Sequence, residues 1–190
     1  MLNAEAIFRQ MPTLETRRLL LRPLCLEDAK DMYDYACDPL VSRYVPWETH
    51  RSIEDSYAYL NSAVEDQQAG KPCSWAVVSK AENRMVGTAG YVWWQPEHSK
   101  AEIGYVLARR LWGQGLTSEA VKTIIDFGFT RMELNRIEAR CIEENIASAK
   151  VMEKCGMTRE GRMRDYLKIK GTFCTYLFYS ILRREWEEML

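Results

Sequence analysis

The amino-acid sequence predicts an α+β domain: a mixed, mostly antiparallel central sheet flanked by helices, in the order β-α-α-β-β-β-α-β-α-β-β. Three observations predict it. Strand-like runs follow one another between residues 74 and 107 with only short polar turns between them, the pattern of an antiparallel meander. Segments of helical apolar period lie before and after that meander rather than alternating strictly with strands, which argues against a doubly wound sheet. The 190 residues contain no linker, repeat or low-complexity stretch, and that length suits one domain.

The elements follow in order. Residues 16–23 (TRRLLLRP) read as a first strand, Leu-rich and stopped by Pro23. Residues 26–36 read as a helix that ends before Asp38-Pro39. Ser52 opens a second helix, with Asp55 at capping-box distance and Ile53, Tyr57, Leu60 and Val64 on one face. Gly70-Lys71-Pro72 ends it. The meander is residues 74–78, 85–93 and 101–107, and Trp93-Trp94 put one ring on each side of its second strand. After Gly113-Gln114-Gly115 comes a helix with an apolar stripe of Ala120, Val121, Ile124, Ile125 and Gly128. Residues 136–141 alternate strictly, so Ile137, Ala139 and Cys141 face inward. A shorter helix over 147–154 stops at Gly156, placed as a C-terminal glycine. Strands near 158–168 and 173–182 close the chain around Gly171.

Composition narrows the function. Hydrophobic residues at 47% and charged residues at 28% are ordinary for a folded globular chain and exclude disorder or a coiled coil. Lys+Arg 26 against Asp+Glu 27 leaves a net charge of -1, so no global basic field exists to gather nucleic acid or anionic lipid. No apolar run reaches the ~20 residues that span a bilayer, and the opening residues lack a signal-peptide core. The expectation is a cytoplasmic protein that engages neither nucleic acid nor a membrane. Its cysteines (25, 37, 73, 141, 155, 174) are scattered and read as reduced thiols. His50 and His98 stand apart from any Cys or carboxylate pattern, so no metal site is expected.

The segment with chemical content is the strand, loop and helix over residues 101–129. Arg109-Arg110-Leu111-Trp112-Gly113-Gln114-Gly115 joins a strand directly to a helix N-terminus. Glycines let several N–H groups converge there, and the helix dipole adds partial positive charge, so the site suits a pyrophosphate. It lacks the Gly-Lys-Ser/Thr of a P-loop. It lacks the third glycine of a dinucleotide fingerprint too, with Ser118 in that place.

Arg110, Gly113 and Gly115 in Arg-x-x-Gly-x-Gly register resemble the acyl-coenzyme A signature of the GCN5-related N-acetyltransferases. Asn145-x-x-Ser148, then Glu153-Lys154-Cys-Gly156-Met157 and Glu160-Gly161, is similar to the branch of ribosomal-protein alanine and serine N-terminal acetyltransferases. The opening Leu14-Glu-Thr-Arg-Arg-Leu-Leu-Leu-Arg-Pro23 is similar to it as well. The resemblance covers about residues 13–188, read as the one domain, with residues 1–12 as an N-terminal extension. One feature departs from the branch: Gly171 is followed by Thr172, Phe173, Cys174 and Thr175 rather than by an acid, so no role of that acid carries over.

The resemblance implies direct acetyl transfer from acetyl-coenzyme A to an amine, with coenzyme A as product. It implies that Val106 and Leu107 offer backbone groups to the pantetheine arm, one N–H polarising the thioester carbonyl. Arg109, Arg110, Trp112, Gly113, Gln114, Gly115, Leu116, Thr117, Asn145, Ser148 and Lys150 are the remaining expected cofactor contacts. Ser148 is the expected acid for the departing thiolate, against the plainer reading of a helix-capping hydroxyl. Glu102 is the expected base through water, against a solvated strand-edge acid. Tyr44, Trp47, Glu48 and Trp93 are expected at the acceptor pocket. The acceptor is expected to be a protein or peptide N-terminal amine. A small polyamine, amino-sugar or amino-acid amine, or an acyl-coenzyme A sensor with weak catalysis, stays open, as does a homodimer.

Overall fold

Leu19 and Leu21 alternate with half-buried Leu20 and Arg22, and that period of two lays down an inner strand, β2 (Leu19–Pro23). It pairs with β3 (Ser74–Ser79) and with the short β1 (Leu14–Glu15). The computed structural model describes residues 4–190. Its other elements are α1 (Ala4–Arg9), α2 (Ala29–Ala36), α3 (Pro39–Ser42), α4 (Ile53–Gln68), β4 (Arg84–Gln95), β5 (Lys100–Leu107), α5 (Leu116–Thr130), β6 (Arg136–Ile142), α6 (Ile146–Lys154), β7 (Thr158–Ile169), β8 (Thr172–Leu182) and α7 (Arg183–Glu187). The sheet runs β1-β2-β3-β4-β5-β6-β8-β7, and only β5 and β6 are parallel. No helix among the described residues is long and apolar enough to cross a membrane.

The predicted class and the order of the large elements match this architecture. Three local expectations need correction. Residues 16–23 are not one strand: Thr16 turns the chain, its N–H donating to the Leu19 carbonyl at 3.0 Å and its hydroxyl accepting from Leu19 N–H at 2.9 Å. The buried face of α4 is rotated from the predicted one. Ser56 and Leu60 are fully buried while Tyr57 is exposed, because Ser56 hydrogen-bonds His50 Nδ1 at 2.8 Å beneath the helix. Part of residues 1–12, expected as an N-terminal extension, packs on the domain. Phe8 is fully buried against Tyr91 and Trp94, and the Pro12 carbonyl accepts from Trp75 Nε1 at 2.8 Å.

The stripe on α5 behaves as its period predicts, with Ala120, Val121, Ile124, Ile125 and Gly128 all buried. Adjacent strand residues face opposite sides of a sheet. Val106 lines a small cavity with Met32, Tyr35 and Tyr59 of α2 and α4, while the Tyr105 hydroxyl lies 2.9 Å from that of Ser148 of α6. Helices α2 and α4 therefore cover one face of the sheet, and α6 covers the other.

The sheet is not continuous through its parallel pair. β5 and β6 are bonded only from Lys100↔Arg136 to Glu102↔Glu138. Beyond that, β5 stays with β4 as far as Leu107, and β6 stays with β8 as far as Ile142. The two strands part, and a wedge opens in mid-sheet at the C-terminal end of β5. In open α/β arrangements that end of a parallel strand is where ligands settle.

Candidate active site

A cleft of about 850 Å³ fills the wedge, within the range of small-molecule sites. Its walls come from β5 (Tyr105, Val106, Leu107), the loop before α5 (Trp112, Gly113, Gly115, Thr117), α6 (Asn145, Ser148, Lys150, Val151, Lys154) and α3 with the residues after it (Leu40, Val41, Tyr44, Val45). Each wall has a local cause.

The loop turns because Gly113 and Gly115 both adopt φ +76°, a conformation that L side chains rarely adopt. A Cβ added at Gly113 would meet nothing within 4 Å, so the space above that glycine is open cleft. Trp112 donates its indole N–H to the Leu107 carbonyl at 2.7 Å, which ties the loop back to the end of β5. Helix α5 then starts at Leu116 with its N-terminus toward the cleft.

The ladder direction on β5 decides which backbone groups face the wedge. Ala108 N–H donates to Val86 O at 2.7 Å, and antiparallel pairs alternate between bonded and non-bonded. Val106 therefore bonds to Thr88 across the ladder. Its carbonyl lies 2.2 Å from where a Gly87 Cβ would stand, so it points toward β4. The amide groups of Tyr105 and Leu107 point the other way, into the wedge. Of the pair expected from sequence, Leu107 turns its amide to the wedge and Val106 turns its own to β4; all three residues line the cleft.

On α6, Asn145 is the N-cap, its Oδ1 accepting from Ser148 N–H at 3.2 Å. The Ser148 hydroxyl does not cap; it lies 2.9 Å from the Tyr105 hydroxyl. Tyr105 also reaches the Ser148 carbonyl at 3.1 Å. A carbonyl only accepts and a phenol has one hydrogen. Tyr105 therefore donates to the carbonyl, and the Ser148 hydroxyl donates to Tyr105. Burial holds the Tyr105 pKa above its ordinary value, so the phenol stays neutral. Cys141 is buried beside Ser148 with its pKa pushed up to about 11 by desolvation, which leaves a neutral thiol and no thiolate nucleophile at this spot.

Several expected contacts lie elsewhere. Arg109 is ion-paired with Asp38 at 2.5 Å and Arg110 with Glu82 at 2.6 Å, outside the cleft wall. Each side chain finds a carboxylate on the neighbouring loop before it finds the cleft. Leu116 is buried in the core, and Gln114 turns its side-chain amide to the Arg110 carbonyl at 3.2 Å. Trp47 packs against His50 with the rings tilted at 60° and their centroids 5.4 Å apart, beside a separate cavity of about 20 Å³. Glu48 is exposed. Of the expected acceptor residues, only Tyr44 lines the cleft.

Glu102 is also held away from it. The residue is 7% exposed, one carboxylate oxygen 3.1 Å from Arg140 Nε and the other accepting from Trp93 Nε1 at 2.9 Å. Burial raises its pKa, against the opposing pull of Arg140. This occupies Trp93 as well, so neither residue reaches the cleft wall. Sequence reading missed Tyr105, whose only signal was its place on β5, and it missed α3, whose Asp38-Pro39 start looked like the end of a helix. Asp38 caps α3, its Oδ1 accepting from Leu40 N–H at 3.0 Å.

Comparison with known proteins places this geometry among relatives. A family model described as an acetyltransferase (GNAT) domain matches residues 18–158. N-acetyltransferase p20 of Bacillus licheniformis is 38% identical over 179 residues, which are 93% of this chain and 99% of that protein. A GNAT-family acetyltransferase from Bacillus anthracis, solved by crystallography, is 30% identical over 91% of this chain and 99% of its own, with a TM-score of 0.81. RimL, a ribosomal L7/L12 alpha-N-protein acetyltransferase solved in complex with coenzyme A, superposes with a TM-score of 0.81. It covers 90% of this chain and 98% of its own at 19% identity, a likeness of fold.

Proposed function

This chain belongs to the GNAT acetyltransferase family, and from that premise we propose that it transfers acetyl from acetyl-coenzyme A directly to the α-amine of a protein or peptide. The N-acetyltransferase activity comes with the family. The choice of acceptor is our reading, and one observation carries it: Glu102, the carboxylate expected as base, is buried in bonds to Arg140 and Trp93.

Without that base, the acceptor must arrive largely able to react. An α-amine with pKa about 7.7–8.0 is roughly 10% neutral at pH 7, whereas a Lys amine is about 0.04% neutral. The cleft does contain Glu144 and Glu153, but both belong to its α6 side, and Glu153 accepts from Tyr179. The acceptor side, Leu40, Val41, Arg43, Tyr44 and Val45, carries a cation and no carboxylate. That wall suits an apolar first residue better than a polycationic small molecule. The α-N-protein acetyltransferase RimL shares the fold, which agrees with the same acceptor class.

The residues present fit the cofactor. The open space over Gly113 and the N-terminus of α5 receive an anion, and the wedge between β5 and β6 accepts a narrow chain. Acetyl-coenzyme A supplies an activated acetyl thioester when bound. Leu107 N–H, left without a partner from β6, is aimed where negative charge develops on the acetyl carbonyl oxygen, an oxyanion-hole role. With the thioester bound, the amine nitrogen would form its bond to the acetyl carbon as the carbon–sulfur bond breaks, and the proton it sheds would pass to solvent. Ser148 swings its hydroxyl hydrogen from Tyr105 to the departing sulfur and recovers a proton from solvent. A thiol leaving group with pKa near 8.5 asks only a modest acid.

The test is intact-mass measurement on peptides and small amines incubated with acetyl-coenzyme A. One acetyl per peptide, abolished by blocking the N-terminus, is expected. Acetylation of polyamines or amino sugars with none on peptides would overturn the acceptor reading.

A further inference from the structure

The segment Leu14-Glu-Thr-Arg-Arg-Leu-Leu-Leu-Arg-Pro23 has no part in the acetyl transfer itself. Its turn residues stand at the glycine loop. Glu119, in the first turn of α5, accepts from Thr16 Oγ1 at 2.6 Å and Arg18 N–H at 2.9 Å with one oxygen, and from Arg18 Nε at 2.7 Å with the other. Arg18 Nη1 then donates to the Gln114 carbonyl at 3.0 Å, and Nη2 lies 3.7 Å from where a Gly115 Cβ would stand. Two segments about a hundred residues apart in sequence thus meet at one peptide unit of the loop.

That peptide unit has a defined geometry. In a trans peptide the C=O of one residue and the N–H of the next point in opposite directions. Holding the Gln114 carbonyl toward Arg18 aims the Gly115 N–H away from Arg18, and Gly115 lines the cleft. The constraint matters because glycines flank Gln114 on both sides, and a Gly-x-Gly segment has the most conformational freedom to lose on binding. Glu119 has a second effect. A bare carboxylate in the first turn of α5 would repel an anion at the helix N-terminus. Three donors bind this one, and they hold its pKa below the usual carboxylate value despite partial burial.

We infer that Arg18 is a positioning residue for the cofactor's diphosphate: oriented by Glu119, it holds the Gln114 carbonyl and so presents the Gly115 N–H to the phosphate oxygens. This rests on the proposed use of acetyl-coenzyme A. Arg109 and Arg110, expected from sequence as direct cofactor contacts, are turned to Asp38 and Glu82. The bonds of Arg18 at the cleft go to Gln114 of the loop and Glu119 of the first turn of α5, which confines its contribution to the diphosphate end. Arg18 variants should therefore discriminate between donors with and without a diphosphate.

The experiment compares wild type with Arg18→Gln, Arg18→Lys and Glu119→Gln. Calorimetry with coenzyme A should show Kd raised about 10-fold in Arg18→Gln. Arg18→Lys should recover part of that, since it keeps the charge and loses the fork. Steady-state kinetics should show KM for acetyl-coenzyme A raised by a similar factor with kcat unchanged. With S-acetylpantetheine, which lacks the diphosphate, kcat/KM should match wild type. Equal losses on both donors would mean a merely structural clamp, and unchanged coenzyme A affinity would remove Arg18 from the loop; either overturns the inference. Should Arg18→Gln fail to fold, Glu119→Gln carries the same comparison, because it releases Arg18 without removing it. Wild type inert with both donors would instead count against the proposed reaction.

Discussion

Gly113→Asp tests the cofactor end of the cleft most directly, and its size can be worked from the structure. The backbone at this position has φ +76°, so any L residue costs roughly 1–2 kcal/mol there. Nothing lies within 4 Å of the new Cβ, so the protein itself is not disturbed. For a chain of this size that strain lowers Tm by about 2–8 °C. Coenzyme A at a hundredfold excess over its Kd should stabilise wild type by about 2.7 kcal/mol, or about 5–11 °C. An Asp carboxylate about 4 Å from a phosphate opposes binding by about 1 kcal/mol in water and about 4 kcal/mol near a protein surface. Affinity falls about 5-fold to 10³-fold, which removes from about a third to nearly all of the thermal shift. Gly171→Asp is the matched control: φ is +85°, nothing lies within 4 Å of its Cβ, and it is outside the cleft. It should lose similar stability and keep the full shift. Differential scanning fluorimetry of the three proteins with and without coenzyme A decides the matter. A full shift in folded Gly113→Asp, or equal loss in both variants, would refute an anion site at this loop.

Ser148→Ala should lower kcat roughly 10- to 100-fold with the KM for acetyl-coenzyme A unchanged. Tyr105 keeps its bond to the Ser148 carbonyl, so a variant that lost only stability would return the hydroxyl to a structural part. Glu102→Gln should leave kcat/KM on an α-amine within about threefold, well short of the 10²-fold loss that removing a general base brings. Its main effect should be on Tm, since Arg140 loses its charged partner, and a pH–rate profile on one peptide that lost its acid limb would restore Glu102 as base. Hydrogen bonding from Arg136 holds the Glu160 pKa down to about 2. The stability this lends is complete above the unfolded value of about 4.3 and is lost as pH falls through about 2. The Tm difference between wild type and Glu160→Gln should therefore be widest near neutrality and close in strong acid; a gap independent of pH would show that the ion pair is not its source.

Local periodicity made most of this fold legible. The stripe on α5 and the alternation of β6 are set by which side chains must leave water, and a strand or helix repeats that requirement along its own length. The glycine loop was legible for a similar reason, since φ +76° at Gly113 and Gly115 is a property of the residue type as much as of its surroundings. Ser148 was legible as a residue of interest but not in its role. Whether its hydroxyl capped α6 or met Tyr105 depended on Asn145 taking the cap first.

What only the tertiary structure decided are choices among partners distant in sequence. Arg109, Arg110 and Arg18 are equally cationic on paper. Asp38 and Glu82 draw the first two away from the cleft, and Glu119 draws the third toward the Gln114 carbonyl. Glu102 reads as an exposed strand-edge acid or a base, yet Arg140 from β6 and Trp93 from β4 close over it. The wedge leaves no mark in local periodicity, because it arises where β4 and β8 hold β5 and β6 apart after Glu102 and Glu138. A charge or a hydrogen-bonding group constrains only what is near it in space. Sequence shows which groups exist, and chain folding alone settles which of them meet.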